Sequence, residues 1–550
     1  MTPPEMKGGS VPAALEAINA AMQAADVARA TTLAREALAA GAEHPDLLNL
    51  RAFWFESQGC DAEAFADLQR ASTLAPDSVA IRYALGLAHA KAGRQHQAIA
   101  CFDAVIARDP NFGPAHFNKG WANEALGDLH TARDCYAHAH QLTPADAKPL
   151  ASMASLAVRA GDWPQARACA DLALAIDPVH PTALAVLAAA ERADGEDAQA
   201  ESRLNALLAR SDLEASQRSY AAGLLGDLLD AQGRIGEAFA VYQEGNDALR
   251  RFHAPHFEGP GIETTPMLLG WLTGLFDEAD PAQWSARTSE SVPEAGLPAK
   301  HVFMLGFPRS GTTLLEQVLD SHSAVVTSGE RETLDESTRE FLSTPGDVKR
   351  LAHLGGAGLR RNRRIYWERV REHGIEVAGR VFIDKQPYNT FKLPLIVKLF
   401  PSAKIVFSLR DPRDVVLSCF RRRFLMSAPN FEFLTLEGTA RLYDATMRLA
   451  ELYRAKLPLQ LLELRHEDLV SDFEGRVRAT CDFLGLTWQD SMRDFAARAK
   501  TRAITTPSSV QVKRGLNREG IGHWRHYRDQ LAPVLPILQP WAERFGYPAD

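Results

Sequence analysis

The sequence predicts a two-part chain: an N-terminal α-solenoid of stacked helical hairpins, then a P-loop-like α/β domain with a mostly parallel sheet. Three observations carry this expectation. Proline, glycine and alanine recur with a common period of 34 residues over the first half. Over the second half, short β-rich runs alternate with helical stretches, the pattern of a sheet covered by helices. Charge is split between the halves, −12 over residues 1–250 and +4 over residues 251–550. An anionic ligand is therefore expected in the second half, although neither half is basic enough for duplex nucleic acid. The boundaries expected from these patterns are a repeat array over 10–252, a connector over 253–299 and the α/β domain over 300–550.

Composition narrows the class further. With 550 residues, 46% hydrophobic and 24% charged, the chain reads as soluble and globular. Its longest apolar stretch, Ala183 to Ala190, is far too short to span a membrane. No basic segment precedes an apolar core near Met1, so no secretory signal is expected. Six cysteines without a CxxC pair argue against a disulfide framework, a metal centre or redox chemistry. The expected compartment is the cytoplasm.

The repeat array follows from three residue classes. Pro76, Pro110, Pro144 and Pro178 are 34 residues apart, as are Gly59, Gly93, Gly127, Gly161 and Gly195. Ala64, Ala98, Ala132, Ala166 and Ala200 keep the same interval. Glycine permits the tight turn inside a hairpin, alanine lets its helices approach, and proline stops the second helix. The pattern resembles the tetratricopeptide repeat, with Asp109-Pro110 and Asp177-Pro178 as unit endings. A weaker unit precedes the five clear ones, with Ala30 in phase and Ala25 in place of the glycine. Another is expected around Gly233 and Ala238. Cys101, Cys135 and Cys169 share the period, but stacked repeats hold equivalent positions roughly 10 Å apart, too far for common metal ligation. They are expected to be small core residues. A stack of such hairpins presents a surface for a protein or peptide partner.

After the connector, HVFML (301–305), VFI (381–383), KIVFSL (404–409) and LQLLEL (459–464) read as strands. A polar or charged cluster follows each of them, where ligands bind in parallel α/β sheets. The first is followed by Gly306-Phe-Pro-Arg-Ser-Gly311-Thr312-Thr313, which has P-loop spacing except that Thr312 replaces the lysine. Backbone N–H groups and a helix N-terminus would still hold a phosphate, but the cation that reaches a triphosphate is missing. A kinase or NTPase reading fails there. The third run leads into Arg410-Asp-Pro-Arg-Asp-Val-Val-Leu-Ser418 and then Arg421, Arg422 and Arg423, a second cluster suited to phosphate. Two phosphate sites point to an adenosine bisphosphate.

FPRSGTTLLE and LRDPRDVVLS together resemble the cofactor motifs of sulfotransferases that use 3′-phosphoadenosine 5′-phosphosulfate (PAPS). Among them the chain most resembles tyrosylprotein sulfotransferases, over roughly residues 300–545. The resemblance implies that Arg309, Ser310, Gly311, Thr312 and Thr313 hold the 5′-phosphosulfate, and that Arg410, Ser418 and Arg422 hold the 3′-phosphate. It assigns Lys385, in FIDKQPYNT, to the leaving oxygen and Arg309 to the sulfuryl oxygens. Ser509, fifteen residues before Trp524, becomes a further donor to the cofactor and the reacting group. The base is Glu330 when counted without a gap from Arg309. Aligned on Gly329, the position falls on Arg331 with Glu332 beside it. Where the family has a tyrosine and a lysine, this chain has His466 and His523.

Sulfuryl transfer to a hydroxyl needs a base for the acceptor proton and cations at the bridging oxygen, and it demands no metal. The acceptor is open between a protein, with tyrosine as the family example, and a glycan, lipid or small-molecule hydroxyl. A non-catalytic nucleotide-binding scaffold is the remaining alternative. Arginines 360, 361, 363, 364, 369 and 371 would suit an acidic acceptor or, equally, form a solvated helix face.

Overall fold

Residues 11–259, 261–284, 296–501 and 515–549 are described by a computed structural model. The chain divides into two compact units, Met1–Ala193 and Asp194–Asp550.

The first unit is helical throughout its described length. Its helices run Val11–Gln23, Val27–Ala39, Pro45–Ser57, Asp61–Leu74, Val79–Lys91, Gln95–Arg108, Gly113–Ala125, Leu129–Leu142, Lys148–Ala160, Trp163–Ile176 and Pro181–Ala193. The 34-residue glycines sit between paired helices in the left-handed region, at φ +74° for Gly59, +72° for Gly93, +82° for Gly127 and +79° for Gly161. Ala25 takes the same conformation at φ +56°, so the first hairpin keeps the turn despite the cost of a Cβ there. Asp128 and Asp162 then cap the second helices, accepting from the backbone N–H of Thr131 and Gln165.

Periodic alanines form the seam of the stack. Ala64, Ala98, Ala132 and Ala166 are all buried, and Cys101, Cys135 and Cys169 lie buried one turn further along the last three of those helices. A second periodic pair escapes a reading based on alanine alone. Phe102 and Tyr136 pack on Gly86 and Gly120, where an added Cβ would stand 2.7 Å from either ring.

The second unit opens on helices Asp197–Leu208, Ala215–Ala231, Ile235–Phe257 and Thr265–Asp277. A five-stranded sheet follows, with β1 Lys300–Gly306, β2 Val325–Thr327, β3 Val381–Lys385, β4 Lys404–Leu409 and β5 Gln460–Arg465. The order is β2-β3-β1-β4-β5, and every pairing is parallel. Four strands coincide with the apolar runs of the sequence. β2 does not, because three residues at a sheet edge leave no periodicity to read.

Alternation along β1 sends its side chains to two different cores. Val302 and Met304 meet Leu315, Val318, Val477 and Leu484 on one face. His301 and Phe303 enter an aromatic cluster with Tyr366, Trp367, Phe382 and Phe400 on the other. Helix Gly356–Glu372 covers that second face. Its arginines are largely engaged within the unit: Arg361 with Glu340, Arg364 with Glu368, Arg369 with Glu336, and Arg363 with the Leu399 carbonyl. Among the described residues no helix is long and apolar enough to cross a membrane.

Candidate active site

All five parallel strands end on one edge of the sheet. Register places Gly306 beside Ser408, Lys385 beside Met304, Thr327 beside Ile383 and Arg465 beside Leu409. The chain passes from β1 to β2 and β3 on one side, then to β4 on the other. The switch in direction therefore lies at β1, where open α/β sheets form their binding crevice.

The loop after β1 occupies that crevice. Gly306, at φ +155°, lies so close to β4 that a Cβ would stand 2.6 Å from the Ser408 carbonyl oxygen. Ser310 closes the turn by donating from Oγ to the Phe307 carbonyl, 2.6 Å away. Arg309 is held at φ +70°, a left-handed conformation that costs a non-glycine residue roughly 1–3 kcal/mol. Gly311, at φ +98°, caps helix Thr312–Asp320 and lies against the His466 ring. Thr312 and Thr313 begin the helix with largely buried side chains, and with Gly311 they line the crevice at its N-terminus, where the first N–H groups have no partner within the helix.

Around this loop is a group of cations. Arg309 Nε donates to Ser418 Oγ at 2.9 Å. Arg410 donates to the carbonyls of Arg309, at 3.2 Å, and Gly520, while its Nε is buried without a partner among the described residues. Burial first, then repulsion from Arg422 and Arg410, pushes the Arg309 guanidinium down to about 9. Burial, with Arg410 and Arg309 adding, holds His466 down to about 3, so this imidazole is neutral. Its Nδ1 is also buried without a partner among the described residues. A desolvated cluster of this kind, with donors aimed inward, is arranged for an anion.

The opposite wall holds the carboxylates. Lys385, at the end of β3, is fully buried, with Nζ 2.7 Å from Glu330 Oε1 and 3.1 Å from Glu316 Oε2. Burial alone would lower the lysine, but the two carboxylates outweigh it and raise it above its ordinary value. Glu316 is raised by burial and eased by Lys385. Glu332 turns elsewhere, accepting from Lys392 Nζ at 2.7 Å and Gln386 Nε2 at 3.0 Å. Asp384 points to the other side of β3 and accepts from Thr333, 2.6 Å away, and Tyr366, 2.7 Å away. Tyr366 accepts in turn from His301 at 2.8 Å. Burial raises Asp384 to about 6.

Between the walls is a cleft lined by Pro308, Arg309, Thr312, Glu330, Tyr388 and Phe424 among others. The structure thus brings Arg309, Gly311, Thr312, Thr313 and Glu330 to one cleft, with Lys385 behind Glu330. Ser310 closes the loop from beneath, and Arg410 and Ser418 support it through Arg309. Arg422 donates from Nη1 to Asp227 Oδ2 at 2.6 Å. His523 contacts Asp230 at 3.1 Å, and buried Trp524 is tethered through its backbone N–H to Asp414 Oδ1 at 2.8 Å. Ser509 lies outside the described residues. Glu316 escaped the sequence reading, although its position four residues after Thr312 puts it on the same helix face as the loop. Asp227 and Asp230 left no signal, being more than 150 residues from the motifs they touch. Among the described residues no group of three or more His, Cys, Asp or Glu side chains could hold a metal ion.

Comparisons with known proteins match two separate segments of the chain. Residues 301–490 match the sulfotransferase family and residues 83–147 the tetratricopeptide repeat. An uncharacterized protein of Aquifex aeolicus is 30% identical over 255 residues, covering 44% of this chain and 33% of that protein. The chain thus spans about a third of that relative's length. Protein-tyrosine sulfotransferase 2 of Gallus gallus is 24% identical over 263 residues, covering 45% of this chain and 69% of that protein. An omega-hydroxy-beta-dihydromenaquinone-9 sulfotransferase of Mycobacterium tuberculosis is 31% identical over 108 residues, covering 18% of this chain and 28% of that protein. A tetratricopeptide repeat protein from Parabacteroides merdae aligns at TM-score 0.36 and 15% identity, covering 43% of this chain and 91% of that chain. The chain carries a sulfotransferase-family domain behind tetratricopeptide repeats.

Proposed function

We propose that this chain transfers a sulfuryl group from PAPS to an acceptor hydroxyl, with protein tyrosine as the acceptor and the repeat array recruiting the protein that carries it. The observation that carries the reading is the meeting of Glu330, Lys385 and the Arg309–Thr313 loop on one cleft. The tyrosine acceptor rests on the names of relatives near 25% identity. We place the reaction in the cytoplasm, a compartment that suits six free cysteines.

The residues present fit such a donor. Its anionic ends match the cations Arg309, Arg410 and Arg422, and the partnerless Arg410 Nε and His466 Nδ1 are polar atoms that a bound nucleotide would satisfy. Arg309 and the N–H groups of Ser310 to Thr313 hold the 5′ end, and Arg410, Ser418 and Arg422 the 3′-phosphate. Ser509 is assigned to the 5′ end by resemblance alone. When bound, the donor supplies an activated sulfuryl group. Glu330 takes the proton of the attacking hydroxyl as the new O–S bond forms. Lys385 stabilises the electron pair left on the departing phosphate oxygen as the old S–O bond breaks, and Arg309 balances charge on the sulfuryl oxygens. Glu316 keeps Lys385 charged and in place. No metal is required, because the loop, Arg309 and Lys385 supply the positive charge.

The test incubates the purified chain with sulfur-labelled donor and lysate from its own source, beside Glu330→Ala and Lys385→Ala. Label that appears with the wild type, is destroyed by protease and is absent with both variants is the expected result. Protease-resistant label would move the acceptor to a glycan, lipid or metabolite. Nucleotide binding without any label transfer would reduce the domain to a binding scaffold.

A further inference from the structure

We propose that the helical hairpin Ala215–Ala231/Ile235–Phe257 is part of the nucleotide site, with Asp227 as the positioning residue that aims Arg422 at the donor's 3′-phosphate. This rests on the function proposed above and extends it to residues that neither sequence motif contains.

The hairpin and the sulfotransferase-type sheet belong to the same compact unit. Phe239 stacks on Phe420 with ring centroids 5.2 Å apart, and buried Asn246 donates to the Phe420 carbonyl at 2.9 Å. Tyr220 lies under the Arg423 guanidinium at 4.2 Å. Two carboxylates complete the contact. Asp227 Oδ1 accepts from Tyr242 at 2.6 Å while Oδ2 accepts from Arg422. Asp230 accepts from Arg421 Nη2 and from Tyr527, each at 2.6 Å, and meets His523 at 3.1 Å. One helix end thus holds four side chains from two separate segments of the nucleotide domain.

The chemistry explains why a cation site needs such a partner. Arg422 and Arg410 both stand close enough to repel Arg309, and Arg421 in turn repels Arg422. Without counter-charges the site could not be assembled before its ligand arrives. Arg422 stands at the C-cap of helix Pro412–Arg421 in extended backbone, so the helix does not orient it. One of its five N–H donors is committed to Asp227, which fixes the plane of the guanidinium and leaves its other edge for a phosphate. Asp227 in turn is locked by Tyr242, in the way that outer partners orient a ligand-binding group. The carboxylate also keeps Arg422 above its ordinary value, against burial and Arg421.

The test measures dissociation constants of adenosine 3′,5′-bisphosphate and adenosine 5′-phosphate on the full chain by calorimetry. The wild type should favour the bisphosphate. Asp227→Asn should cut that preference by about tenfold, the effect of one lost charge-assisted hydrogen bond, with 5′-phosphate binding unchanged. Asp227→Glu should recover part of it. Tyr242→Phe frees Asp227 while keeping the packing, and should lower the same ratio by less, even if Asp227→Asn fails to fold. A folded Asp227→Asn protein with the wild-type ratio overturns the proposal. A raised ratio overturns it too, since Asp227 would then compete with the phosphate. No preference in the wild type would instead overturn the underlying nucleotide assignment.

Discussion

Lys385 and Glu316 form an ion pair in which neither partner reaches solvent, with Nζ 3.1 Å from Oε2. The lysine comes from the end of β3 and the glutamate from helix Thr312–Asp320, so the pair ties that helix to the sheet. Glu330 reaches Lys385 from the solvent side at 2.7 Å.

Removing the lysine should therefore do two separable things. Lys385→Met leaves Glu316 as an uncompensated buried charge and should cost about 3–5 kcal/mol in urea unfolding. Adding Glu316→Gln should recover most of that stability. Sulfuryl transfer should stay lost in both proteins, because each lacks the cation proposed for the leaving oxygen.

The two nearby glutamates should behave differently. Glu330→Gln removes the proposed base and should lower the single-turnover rate of label transfer by about 10²–10⁴-fold. Glu332, engaged by Lys392 and Gln386, should tolerate glutamine with a loss of about threefold or less, in keeping with a half-exposed ion pair. Equal losses in the two variants would remove the distinction.

Gly311 is constrained twice over. An alanine there keeps φ +98°, at a cost of about 1–3 kcal/mol, and puts its Cβ 2.7 Å from His466 Nδ1. Gly311→Ala should lose nucleotide affinity and stability together. The double variant with His466→Ala should recover the steric part alone, as read by thermal unfolding with and without adenosine 3′,5′-bisphosphate.

Acid should destabilise the fold through His301. Burial holds its imidazole down to about 3 in the folded chain, whereas the unfolded chain takes up that proton near 6.5. Between those values the unfolded state binds more protons, so stability falls as pH is lowered through this window. Asp384 works the other way: burial raises it to about 6, so the folded state takes up its proton first. The readout is thus the difference between wild type and His301→Gln, in which the Asp384 contribution largely cancels. Going from pH 7.5 to 5.0, the wild type should lose about 2 kcal/mol more than the variant.

Legibility varied with the range of the interaction. The repeat turns were readable because each one is a local problem solved by the same residues every 34 positions; Ala25 shows that the geometry persists even where glycine does not. β1, β3, β4 and β5 announced themselves as apolar runs, whereas β2 exists only because β3 offers it a partner. The loop after β1 and the Arg410–Ser418 segment were readable as motifs, and the structure brings them into contact through Arg309. Arginines 360–371 suggested a ligand surface or a solvated face, and the contacts of Arg361, Arg363, Arg364 and Arg369 within the unit favour the latter.

Sequence alone determined the helical repeats and the parallel α/β domain, because periodicity and short motifs encode backbone geometry locally. Which of two closely spaced glutamates meets Lys385, which carboxylate lies behind it, and that Asp227 and Asp230 reach the basic segment were decided by the tertiary structure. Those facts depend on side-chain direction and on long-range packing, and neither leaves a trace in the spacing of residues along the chain.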